Sequence, residues 1–216
     1  MGKIKKIWIC AYREWALEIS NQVKNEVKCD IITSKEQFNK IEFEENDIIF
    51  FLGWSWIIPS SIIKECKCIC LHPSPLPKYR GGSPIQHQII NGETLSAVTF
   101  FIMTDKLDEG DILYQEYFSL EGDLKDIFSR IIPLGTSGIF RILTQDIKGK
   151  PQNESEATLY KRRKPSESEI LLSDIQNLTS KQLYNKIRAL QDPYPNSYIR
   201  CKNGSKLYIT KSKYEK

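Results

Sequence analysis

Only two histidines occur in the 216 residues of this chain, His72 and His87. His72 closes the stretch CKCICLH, which reads as a buried strand, and PSPLPKYRGG follows at once. An imidazole at a strand end, beside a loop stiffened by three prolines and loosened by Gly81 and Gly82, is placed to work as a base or proton relay in a small-molecule pocket. Thirty-six positions on, Asp108 stands between an apolar strand and a glycine turn in MTDKLDEGDILYQ. A carboxylate able to reach the imidazole would fix its tautomer and favour its charged form. The alternative is that Asp108 and Asp111 only decorate a turn. His87, inside QHQII, reads as a structural residue on a helix.

Cys66, Cys68 and Cys70 precede His72 at spacings that suggest a metal site. Side chains two apart on a strand share a face but stand roughly 6 to 7 Å apart, so four in a row do not converge on one zinc. No metal is expected. The same separation argues against Cys70 acting as a thiolate activated by His72. The six cysteines read as small buried hydrophobes, with a cysteine-based metal or redox protein as the alternative class.

Such groups meet only if a sheet brings strand ends together. KIWICAY, KCDIITS, DIIFFLG and CKCICLH are apolar strand signals separated by helical patterns, which implies an α/β fold with a Rossmann-like, mostly parallel sheet covered by helices on both faces. Ser83 and Pro84 open a further helix that ends at Asn91-Gly92, Ser83 acting as its cap. AVTFFIM and DILYQEYFSL are strands, and a long helix runs from Gly122 to about Lys148, interrupted near Pro133-Leu134-Gly135. KGKPQNESEAT, without apolar periodicity, reads as a linker crossing the surface. A helix over Thr179–Leu190 and a hairpin turning at Asn203-Gly204, as a type I′ turn, complete the chain. The expected division is a catalytic α/β domain over 1–150 and, over 151–216, a linker, a short helix and a truncated C-terminal β subdomain.

The formal charge is +4, with acidic and basic residues interspersed except at Lys3–Lys6 and Lys161–Lys164. That pattern argues against nucleic acid as the main partner. No apolar run approaches the roughly 18 residues of a membrane span, so a cytoplasmic protein without a membrane partner is expected. Gly2 lacks the hydroxyl residue that myristoylation requires downstream.

HPSPLPKYRGGSP resembles the HxSLLPxYRGxxP signature of the folate-dependent formyltransferases, and VTFFIMTDKLDEGDIL resembles their VTxxxMxxxxDxGxI signature, in the same order and at similar separation. With YKRRKPSESEI and LYNKIRALQDPYPNSYI the resemblance covers most of the chain from about Gly53 onward, and these last two stretches are most similar to the branch that formylates amino sugars on nucleotide carriers. The resemblance implies an N-formyltransferase that moves a formyl group from N10-formyltetrahydrofolate to the amine of a UDP- or dTDP-linked 4-amino-4,6-dideoxy sugar, for surface polysaccharide synthesis. It assigns His72 to the amine proton and Asp108 to holding His72 and a water. The family pattern reads Asn-x-His where this chain has Cys70-Leu71-His72. A thiol is a weaker donor than an amide, so Cys70 stands where an oxyanion donor is expected. A formyl-folate hydrolase and a catalytically weak folate or nucleotide-sugar binder are the alternatives.

By the same resemblance the donor lies along Gly53, Trp54, Trp56, Ile57 and Ile58 and along Thr104 and Leu107. For the acceptor, Tyr12, Arg13, Lys78, Tyr79, Arg80, Gly81, Gly82 and the basic run Arg162 to Lys164 are candidates, since cations at strand ends and near a Gly-Gly turn suit a diphosphate. An ordinary surface role is the alternative for each. Formylation of initiator tRNA is disfavoured by the chain's length. The terminal hairpin has an edge that could pair across a homodimer axis.

Overall fold

A computed structural model describes residues 6–215; Gly2 and the basic cluster up to Lys5 lie outside the described residues. The apolar runs form strands and the patterned segments between them form helices, in the order β1 (Ile7–Ala11), α1 (Glu14–Glu26), β2 (Asp30–Ile32), α2 (Lys35–Phe38), β3 (Ile48–Leu52), α3 (Ser60–Glu65) and β4 (Lys67–His72). After a two-residue strand, β5 (Arg80–Gly81), come α4 (Pro84–Ile90), β6 (Leu95–Ile102), β7 (Ile112–Ser119) and α5 (Leu124–Thr144). The rest comprises β8 (Leu159–Tyr160), α6 (Leu172–Asn177), α7 (Ser180–Arg188) and the antiparallel pair β9 (Ser197–Arg200) and β10 (Lys206–Ile209).

The main sheet runs β2-β1-β3-β4-β6-β7, parallel through β4 and antiparallel beyond it. All five residues of β3 are buried, as a central strand covered on both faces requires. Ile9, Phe50, Ile69 and Leu71 face one core layer with α1, α4 and α5; Cys10, Phe51 and Cys68 face the other with Phe38, Ile58 and Cys66. The alternation of CKCICLH therefore sends its cysteines and His72 to one face and its aliphatics to the opposite one. Because the chain winds from β1 to β2 in one direction and returns to β3 on the other side, the segments leaving the paired carboxyl ends of β1 and β3 run opposite ways and leave a crevice.

Helix α5 passes through Pro133 without the expected interruption and ends at Thr144. Its close approach depends on glycine. A methyl group at Gly138 would stand 2.5 Å from the Phe100 ring and 2.9 Å from Tyr114, and one at Gly135 would meet Ile19 at 2.5 Å. Gly138→Ala is therefore expected to lower the unfolding free energy by about 1–3 kcal/mol through overpacking, against a helix-propensity gain of about 1 kcal/mol. Urea unfolding read by tryptophan fluorescence checks the sign.

Two turns differ from expectation. Ser83 is left-handed (φ 55) and does not cap α4; its hydroxyl instead accepts from the Arg163 backbone N–H at 3.1 Å. In the β9–β10 turn only Gly204 has positive φ, and the carbonyl of Cys201 accepts from its N–H, so a longer turn with a single left-handed glycine replaces the type I′ pair. The C-terminal segment is tied to the sheet domain by the buried Arg188, which donates to the carbonyls of Leu120 (2.6 Å) and Gly122 (3.0 Å), while Ala189 and Leu190 join the α1–α5 core.

Candidate active site

Both β4 and the loop after β6 feed one point. His72, the last residue of β4, is buried and its Nε2 lies 2.7 Å from the carbonyl oxygen of Tyr79. A carbonyl only accepts, so Nε2 carries a hydrogen. The other nitrogen, Nδ1, lies 3.6 Å from Asp108 Oδ2. The Tyr79 carbonyl reaches this position because Tyr79 itself adopts left-handed backbone (φ 62), with its N–H donating to Thr158 Oγ1 at 2.8 Å. The Tyr79 hydroxyl, pushed up to about 12 by burial and by Glu93, stays protonated and donates to Glu93.

Asp108 arrives from the other direction. The backbone leaves β6 where the Met103 N–H donates to the Cys68 carbonyl, then folds back over β4 until the Asp108 carboxylate meets His72. Gly110 makes the return feasible: a Cβ there would stand 1.6 Å from the Ile102 carbonyl oxygen. Asp108 is left-handed as well (φ 56), a conformation that surrounding contacts must hold. Its Oδ2 accepts from the Gly81 N–H at 2.8 Å.

These groups line one open cleft of about 780 Å³, within the range of small-ligand sites. Cys70 lies on its wall, two residues before His72 and on the same face. Burial, and then the negative charge of Asp108, hold the Cys70 thiol well above its ordinary range, so it stays protonated and is no thiolate nucleophile. Among the described residues, no group of three or more His, Cys, Asp or Glu is arranged to hold a metal ion. No helix among them is long and apolar enough to cross a membrane.

Gly53, Trp54, Trp56, Ile57 and Ile58 all line the cleft, as do Thr104 and Leu107. Trp54 and Trp56 pack edge to face at 4.6 Å, and Ile57, 96% exposed, stands at the cleft mouth. The buried Trp54 Nε1 has no protein acceptor. An aromatic wall with one unspent donor fits a flat heterocycle carrying acceptors, such as a pterin.

The acceptor candidates divide. Arg13, Gly81, Gly82, Arg162 and Arg163 line the cleft. Lys78 is exposed away from it. Tyr12 packs tilted against Trp56, ring centroids 4.7 Å apart, and shares a 2.5 Å hydrogen bond with Ser55, so it supports the tryptophan loop rather than offering a free hydroxyl. Tyr79 does not line the cleft; its ring stacks behind Tyr160, which does.

Arg80 is corrected most clearly. It is 4% exposed, and four of its five N–H donors are spent on both carboxylate oxygens of Glu154 (2.9 and 2.7 Å) and on Gln152 Oε1, with the Glu109 carboxylate 3.6 Å from Nη1, so it faces protein carboxylates rather than a phosphate. The glycine pair also has another purpose than ligand approach: a Cβ at Gly81 would stand 2.2 Å from the Tyr160 carbonyl oxygen and one at Gly82 2.4 Å from Arg162 Cα, because β5 pairs with β8 there. Residues 149–158 do run over the surface, but Gln152, Glu154 and Thr158 fix them to the site. Neither they nor Trp15, Gln86, Phe128 and Tyr194, which also line the cleft, carry a sequence signal that separates them from linker or core.

Comparison with known proteins agrees with this geometry. The Formyl transferase family model matches residues 20–131, more than half of the chain. A methionyl-tRNA formyltransferase of Ligilactobacillus salivarius is 30% identical over all of this chain and 69% of its own length. The chain spans between 57 and 69% of the curated relatives it matches. Among solved structures, the methionyl-tRNA formyltransferase from Clostridium thermocellum is 29% identical with a TM-score of 0.78, covering 94% of this chain and 96% of that one. The N-formyltransferase from Helicobacter canadensis, solved with folinic acid and dTDP-3-aminofucose, shares the fold at 22% identity and a TM-score of 0.67, over 85% of this chain and 80% of its own. Matched across over half its length by the family model, and by a relative 30% identical along its whole course, the chain belongs to the formyltransferase family.

Proposed function

We propose that this protein transfers a formyl group from N10-formyltetrahydrofolate to the amine of a nucleotide-linked amino sugar. The observation that carries the reading is the pairing of the buried His72 with the half-buried Asp108, 3.6 Å apart, opening on a cleft whose walls differ in chemistry. On one side Trp54, Trp56, Ile58 and Met103 form an apolar, aromatic lobe suited to the folate, which would supply the formyl carbon. On the other stand Arg13, Arg162 and Arg163. The Arg163 Nε is buried without a protein partner, and burial pulls its guanidinium below the usual arginine range; a diphosphate oxygen is the partner that relieves both conditions.

An amine entering as ammonium has no lone pair to react. With Nε2 held by the Tyr79 carbonyl, Nδ1 is the nitrogen free to take that proton, and the Asp108 carboxylate beside it stabilises the resulting imidazolium. The low net charge and interspersed acidic residues favour a small diphosphate acceptor over a large polyanion.

A second reading, formylation of initiator methionyl-tRNA, is favoured by the names of the relatives in sequence. Incubation with the formyl donor and, separately, with a panel of UDP- and dTDP-linked amino sugars or with methionyl-tRNA, read by mass spectrometry, decides between them. The proposal expects a formamide on a nucleotide-sugar. Product on the tRNA alone would replace it with the second reading, and free formate without any acceptor would make the protein a hydrolase.

A further inference from the structure

Outside the cleft, the side chain of Gln152 joins the turn that presents Asp108 to Arg80, the residue between the two that contact the His72–Asp108 pair. Gln152 Nε2 donates to the backbone carbonyls of Asp108 (2.8 Å) and Gly110 (2.7 Å), spanning the turn that presents the carboxylate. Its Oε1 accepts from Arg80 Nε (3.1 Å) and Nη2 (2.8 Å). The amide orientation is forced, because the carbonyls can only accept and the guanidinium can only donate. Arg80 in turn lies between the two residues that contact the pair: Tyr79, whose carbonyl receives His72 Nε2, and Gly81, whose N–H reaches Asp108 Oδ2. A closed ring results, running from the Asp108 backbone through Gln152 and Arg80 to Gly81 and back to the Asp108 carboxylate.

We infer that Gln152 is a positioning residue for formyl transfer, joining the Asp108 turn to the Arg80 strand so that the carboxylate is held against His72. The ring is needed because Asp108 and Tyr79 both occupy left-handed backbone, which non-glycine residues leave readily unless contacts on several sides retain it. The Asp108 turn has its carbonyls at 108 and 110 satisfied by this one amide, while Glu154 clamps Arg80 from the opposite side. Gln152 does not line the cleft, so it acts only through these residues.

This inference rests on the formyl-transfer reading for its rate effect but not for its structural one, and the test separates them. Gln152→Leu removes every hydrogen bond; Gln152→Glu keeps the acceptor toward Arg80 and loses the donors toward Asp108 and Gly110. Both variants are expected to lower kcat about 10–100-fold, as a sub-ångström to ångström displacement of a reacting group does, with donor KM changed less than about threefold. Combined with Asp108→Asn, Gln152→Leu is expected to add almost nothing, since the two changes disable the same unit.

Independently of turnover, the ring nitrogens of His72 are readable by ¹⁵N NMR, because the chain's other histidine, His87, is assigned by His87→Gln. The His72 signals are expected to move in both Gln152 variants as they do in Asp108→Asn. Unmoved His72 signals in a folded variant, or a fully additive loss in the double variant, would overturn the inference. An unaltered protein that formylates no amine would instead overturn the proposed function, and the NMR comparison would still decide the role of Gln152.

Discussion

His72→Ala is expected to slow formyl transfer by about 10²–10⁴-fold, the range that a general base contributes, while binding of 5-formyltetrahydrofolate changes little. The ring has two nitrogens and the fold commits one of them. Nε2 is held by the Tyr79 carbonyl, so Nδ1 alone is left to face Asp108 and the cleft. Asp108→Asn tests the partner with less disturbance. An asparagine oxygen can still accept from the Gly81 N–H, preserving the turn, but it carries no charge to stabilise an imidazolium. Its rate loss is expected in the same direction. Single-turnover transfer with saturating donor, followed beside quenching of the cleft tryptophans by the folate, separates chemistry from binding. Transfer by His72→Ala within a few-fold of the unaltered protein would remove His72 from the reaction.

His72 and the strands were legible for one reason: a parallel sheet writes itself as uninterrupted apolar runs, and a histidine ending such a run lies at the carboxyl end of a strand, where the loops surround a crevice. Asp108 was legible through the resemblance of VTFFIMTDKLDEGDIL to the family signature, since the glycine turn alone left a decorative role open; its left-handed backbone was not. What the sequence concealed lies in contacts without periodicity. Gln152 and Glu154 sit in a stretch whose polar composition matches any surface linker, and only the tertiary pairing of β5 with β8 brings them onto Arg80. Arg80 itself misleads in sequence, because a cation beside two glycines suits a phosphate as well as it suits a buried clamp. The glycines misled for the same reason: the backbone that approaches them closely is the protein's own. Ser83 shows the limit of local rules, since its hydroxyl bonds to Arg163, eighty residues away, rather than to the helix it precedes.

Cys70→Asn is expected to raise kcat by up to about 10²–10³-fold, the effect of restoring one oxyanion donor. Cys70 occupies the position two before His72 where the family pattern carries asparagine, and its side chain faces the cleft. The Sγ lies 3.6 Å from the Leu71 carbonyl oxygen, so the weak S–H donor is directed at the protein's own backbone. Burial and the Asp108 charge keep the thiol protonated through neutral and mildly alkaline pH, so no thiolate emerges to compensate. An asparagine amide has two N–H donors: one can satisfy the Leu71 carbonyl and the other can point into the cleft. Cys70→Ser and Cys70→Ala set the scale, the first offering a single hydroxyl donor and the second none. The expected order of kcat is Asn above Ser, with Cys and Ala close together at the bottom, at similar donor KM. Should Cys70→Asn leave kcat unchanged, the developing charge is already met by another donor, for which the protonated Nδ1 of His72 is the group nearest to hand. In that case Cys70→Ala would also be silent, and Asp108→Asn would become the most damaging single change, because the imidazolium that carries both duties depends on that carboxylate.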